Sequence, residues 1–116
     1  IISLYLSNYK LLLLCSKEVE PALDAIQTYK CKLLFSLPFK LTYMINLAQI
    51  KKYDLSSLKF ISTGGQCISA QLAKRLNSEL NIEYLNYGYA MSETLVTSSK
   101  FYELNDFDEN EYNFGI

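Results

Sequence analysis

The chain contains no histidine. That absence removes His-based catalytic triads and most zinc sites from these residues. Cysteine is sparse: Cys15, Cys31 and Cys67 are odd in number and none belongs to a C-x-x-C pair. This argues against a disulfide framework and fits a reducing compartment. Charge of either sign is nearly balanced, with 11 Lys and Arg against 12 Asp and Glu and a formal net charge of -1. A nucleic-acid partner would call for a clustered basic surface, so none is expected. No apolar run reaches the roughly 20 residues needed to span a bilayer. The nearest candidate, residues 1–14, is interrupted by Ser3, Ser7, Asn8 and Lys10. It has neither an initiator methionine nor a cleavage site, so it does not read as a signal peptide. A buried helix end leading into a core strand is the expected account of it. No internal repeat and no low-complexity linker is present.

What is there is globular in character: 116 residues, 50% hydrophobic and 20% charged. The length suits one small domain or a piece of a larger one. Residues 10–15, 32–37, 59–63 and 82–86 are short apolar runs that predict strands. In the first, Leu11-Leu12-Leu13-Leu14 lacks alternation, as expected of a strand covered on both faces. Between the runs the period is helical. Val19, Ala22, Leu23, Ile26 and Tyr29 form one apolar stripe, with Pro21 in the first turn, where its missing N–H costs nothing. Pro38 opens a second helical stretch through Met44, Ile45 and Ala48. Ser69 can cap a third, which carries Leu72, Ala73, Leu76 and Leu80 on one face. Strands alternating with helices predict an α/β fold, a parallel sheet with flanking helices. Glu103, Asp106, Asp108, Glu109 and Glu111 lack the spacing of a calcium loop and read as a solvated connection.

Two segments carry candidate chemistry. Tyr87-Gly88-Tyr89-Ala90-Met91-Ser92-Glu93-Thr94 places two aromatic rings, a glycine, a hydroxyl and a carboxylate after the predicted strand 82–86. Glycine lets the backbone approach a ligand, an aromatic face can stack on a base, Ser92 can donate to a phosphate oxygen, and Glu93 can hold a magnesium ion. An aromatic-glycine turn with a polar helix cap after it would have the same composition. Upstream, Thr63-Gly64-Gly65-Gln66 follows the predicted strand 59–63. A tight strand-to-helix turn would also place two glycines there. In open parallel sheets ligands sit beyond the carboxyl ends of the strands, and both segments are expected at that edge.

The order of Lys52-Tyr53-Asp54-Leu55-Ser56-Ser57-Leu58, the glycine pair, an amphipathic run and then Gly88-Tyr89-Ala90-Met91-Ser92-Glu93 resembles the adenylate-forming enzymes. That family includes firefly luciferase, the acyl-CoA synthetases and the peptide-synthetase adenylation domains, with a "KYDLSSL" stretch and a "GYGMTE"-type motif. The resemblance covers the chain from about Ile1 to its end. It implies that residues 1–116 are part of an AMP-binding domain cut at both ends, taken from the middle of the family's large N-terminal domain. The remainder of the same polypeptide would supply the phosphate loop upstream, and the ribose-binding aspartate, hinge and C-terminal lysine downstream. It further implies an ATP-dependent ligase that joins a carboxylic acid to AMP with Mg²⁺ and then passes the acyl group to coenzyme A. A fatty or aromatic acid is expected, in an intracellular enzyme of the cytoplasm or peroxisome.

Residue by residue, the resemblance sets Gly64, Gly65 and Gln66 against adenine and the acyl pocket, and Tyr89 on the adenine ring. It sets Ser92 on the α-phosphate and Glu93 on Mg²⁺, with Tyr87, Gly88, Ala90 and Met91 in the same nucleotide-facing segment. Ser92 and Glu93 are the expected catalytic pair. Three departures stand out. Ala90 occupies a usual glycine, Ser92 replaces the commoner threonine, and Gln66-Cys67 stands where Ala-Pro is usual. Ala90 and Gln66 leave open a second reading, a nucleotide-binding pseudoenzyme of the same fold. Cys67 is expected to be a small buried packing residue.

Overall fold

The computed structural model describes residues 10–93 and 95–106. Three helices and four strands alternate along it. They are α1 (Glu20–Tyr29), β1 (Leu33–Phe35), α2 (Pro38–Lys51), β2 (Phe60–Gly64), α3 (Ala70–Leu80), β3 (Tyr84–Met91) and β4 (Leu95–Glu103). No described helix is long and apolar enough to cross a membrane.

Local chemistry sets the helix boundaries. Pro21 lies in the first turn of α1 and Pro38 opens α2, where an N–H would have no partner. Ser69 Oγ accepts the Leu72 amide at 3.1 Å and caps α3. Each helix ends on a left-handed residue: Lys30, Lys52 or Asn81, with φ between 52° and 54°. Their amides return to Ile26, Ala48 and Asn77 and so satisfy orphan carbonyls of the last turn.

The strands pair in the order β1-β2-β3-β4. β1, β2 and β3 are parallel, with Leu34 beside Ile61 and Ile61 beside Leu85. Consecutive right-handed crossovers in a sheet of order 1-2-3 put α2 and α3 on the same face. There Leu23, Ile26, Leu41, Met44, Ile45, Ala48, Ile61, Leu72, Ala73, Leu76, Leu85 and Tyr102 form one core. Each large side chain fully buried in it stabilises the fold by about 1.5–3 kcal/mol relative to exposure. The opposite face carries Leu33, Phe35, Phe60, Tyr84 and Phe101. Phe35 is 59% exposed and Phe101 68%, and Phe60 stacks on Tyr84 at 4.9 Å.

Three expectations need correction. Residues 10–15 form no strand. Leu11 to Leu14 are exposed, because among the described residues that run has neither a ladder partner nor a covering layer. The sheet is mixed, not wholly parallel: β4 runs antiparallel to β3, since only a short hairpin connects them and a parallel return would need a long crossover. Tyr29, assigned to the apolar stripe of α1, is 68% exposed in the last turn, while Ala25 is buried with Leu23 and Ile26.

Candidate functional site

β2 ends at Gly64, which pairs in register with Gly88 of β3. These two residues make a rung without side chains at the carboxyl edge of the parallel strands. The two glycines are there for different reasons. A Cβ at Gly64 would fall on the Gly88 carbonyl oxygen, inside contact distance, so the backbone itself excludes a side chain. A Cβ at Gly88 would meet nothing closer than the Ser98 carbonyl oxygen at 3.8 Å. Contacts among the described residues therefore do not require that glycine. Gly65 follows with φ +79°, a left-handed turn that suits glycine. Gln66 is exposed, and Ile68 is fully buried and anchors the loop before Ser69 starts α3. Cys67 is also exposed, which corrects its expected place in the core.

The second segment does not begin after a strand. β3 continues through it to Met91, three residues beyond the end of β2. Past Gly88 its ladder partner among the described residues is β4: Tyr89 faces Ser98, and the register then slips so that Ala90 faces Val96. Ser92 and Glu93 sit in the turn that follows, both exposed. Neither begins a helix. Thr94 lies outside the described residues. The two tyrosines share one face of β3 and differ in cover: Tyr87, beside β2, is 7% exposed and joins the core, whereas Tyr89, past the end of β2, is 50% exposed. Burial raises the Tyr87 phenol above its ordinary pKa, and the nearby Cys67 sulfur adds to the effect. Met91 and Ala90 are exposed beside Tyr89.

One rung before the glycines, on the open face, Ser62 pairs in register with Asn86. Asn86 Nδ2 donates to Ser62 Oγ at 3.3 Å. Asn86 Oδ1 and Thr63 Oγ1 are buried without a hydrogen-bond partner among the described residues. Sequence reading overlooked this polar rung. The available signal was a polar residue near the end of two otherwise apolar strand runs, a position where a central strand seldom spends a hydrogen-bonding group.

The Lys52-to-Leu58 stretch has a structural account. Asp54 Oδ1 accepts the Ser56 amide and hydroxyl, a side-chain-closed turn, and Oδ2 takes Lys30 Nζ at 2.6 Å. Those bonds, Lys30 first and Ser56 next, hold the Asp54 carboxyl well below the usual carboxylate range. Gln27 accepts the Asp54 amide, and Ser57 donates to the Cys31 carbonyl. Leu55 and Leu58 plug the core beneath. The segment thus locks the entry of β2, and through it the position of the glycine rung.

Glycine pair, exposed ring, hydroxyl and carboxylate therefore share one edge, as an open wall. Two clefts of the described residues, of 520 Å³ around Phe39 and Tyr43 and 160 Å³ around Thr42 and Arg75, include none of them. No group of three or more metal-ligating side chains converges among the described residues.

Residues 10–114 match the family described as AMP-binding enzyme. The chain belongs to that family. Among curated relatives, the luciferin 4-monooxygenase of Photuris pensylvanica is 26% identical over 87 residues, covering 75% of this chain and 16% of the relative. The Photinus pyralis protein of the same name gives the same figures. The chain thus spans only 16% of the length of the curated relatives it matches. Among solved structures, the luciferase-like enzyme from the nonluminescent Zophobas morio mealworm superposes with a TM-score of 0.63 at 32% identity. That match covers 73% of this chain and 20% of the other. An anthranilate CoA ligase solved with anthranoyl-AMP gives 0.64 at 16% identity, covering 84% and 17%, and at that identity shares the fold alone. Family and fold are thereby shown.

Proposed function

We propose that this chain supplies the nucleotide and acyl wall of an acyl-adenylate-forming ligase. The observation that carries the reading is the bare Gly64–Gly88 rung at the carboxyl edge of parallel strands, with the half-exposed Tyr89 ring one residue on. A flat backbone floor beside an aromatic face suits a planar base and a planar or extended acyl group. Ser92 would donate to the α-phosphate. Glu93, the single carboxylate at the tip, would hold Mg²⁺ together with phosphate oxygens and water, in keeping with how that ion is usually bound. Bound there, the ion would offset charge that builds on phosphorus as the substrate carboxylate attacks and pyrophosphate leaves. Coenzyme A is the proposed acceptor of the acyl group in a second step.

Ala90 bears on the rival reading of a decayed site. It has no left-handed φ and is exposed among the described residues, so its methyl costs this fold nothing. ATP–pyrophosphate exchange by the full-length protein, over a panel of fatty and aromatic acids, tests the proposal. Exchange that requires both acid and Mg²⁺ is expected; no exchange with any acid would sink it.

A further inference from the structure

We draw no further inference here: the strongest candidate, the apolar patch that Leu33, Phe35, Phe60 and Phe101 form on the sheet face away from the helices, is an unpartnered face, and nothing in the structure shows what covers it.

Discussion

Replacing Gly64 by alanine tests whether the glycine rung is dictated by the backbone. The added Cβ lands on the Gly88 carbonyl oxygen, and neither partner is a side chain that can swing away. Two registered strands must separate or twist, a form of overpacking that costs roughly 1–3 kcal/mol. Gly88→Ala, directly opposite, is the control. Its Cβ would rest at 3.8 Å from the Ser98 carbonyl oxygen and 3.9 Å from the Ser99 Cβ, which is ordinary contact. Fewer unfolded conformations should even yield about 0.4–1 kcal/mol of stability. With a urea slope on the order of 1–3 kcal/mol/M, a difference of about 2 kcal/mol separates the two unfolding midpoints by about 1 M. The assay is urea denaturation of both variants beside wild type, followed by ligand titration. Gly88→Ala should then show the opposite dissociation, native stability with weakened Mg·ATP or acid binding, because its methyl stands on the proposed floor. A Gly64→Ala midpoint no lower than that of Gly88→Ala would refute the steric argument.

Tyr87→Ala should cost roughly 3–5 kcal/mol of stability, while Tyr89→Ala should leave the urea midpoint nearly unchanged and weaken Mg·ATP binding by roughly 1–3 kcal/mol in calorimetric titration; equal effects on stability would contradict the depth difference between the two rings. Glu93→Gln should lower Mg-dependent exchange on the order of 10²–10³ with an unshifted unfolding midpoint, and a wild-type rate would remove Glu93 from the metal role. The Asp54 carboxyl lies below its ordinary value of 3.8 when folded, so its stabilisation is complete above that value and is lost as pH falls toward the folded one. Urea midpoints of wild type and Asp54→Ala should therefore differ at about pH 7 and converge below about pH 4, and parallel curves down to about pH 3 would show that the Lys30 and Ser56 bonds carry no net stability. Ala90→Gly should leave stability within about 0.5 kcal/mol, and a large rise in exchange from a near-zero background would favour the decayed-site reading.

Much of this architecture was legible because local chemistry and burial agreed. Pro21, Pro38 and Ser69 announce helix starts, and the stripe from Val19 to Ile26 and the Leu72-Ala73-Leu76 face point to the layer they pack against. Residues 10–15 misled because four consecutive leucines report apolarity and say nothing about whether a partner strand is present. β4 escaped notice for the opposite reason. Ser98, Ser99 and Lys100 interrupt the apolar signal, and only Tyr102 of its fully described side chains is buried. At the site, glycine spacing and the order of Tyr89, Ser92 and Glu93 marked the right edge of the sheet. They could not reveal that Tyr87 is buried and Tyr89 exposed, because the depth of two tyrosines two positions apart on one strand face depends on where β2 stops. The Ser62–Asn86 rung is likewise a product of register, which joins residues 24 apart in the chain.

Beyond Gly64, the paired ends of β3 and β4 behave as a beam clamped at one end. Behind the clamp, β3 is braced by β2 and by the core; ahead of it, Tyr89, Ala90 and Met91 have, among the described residues, one ladder partner and a slipped register. A two-stranded ribbon by itself is marginally stable in water. Amide protons of residues 89–91 should thus exchange well before those of residues 61–63, and a nucleotide seated on Tyr89 would have to still the beam as it binds. Affinity at this edge is then set partly by stiffness. A substitution in β4 that never touches a ligand, such as one at the slipped register, should change binding through the entropy of the arm that carries the contacts.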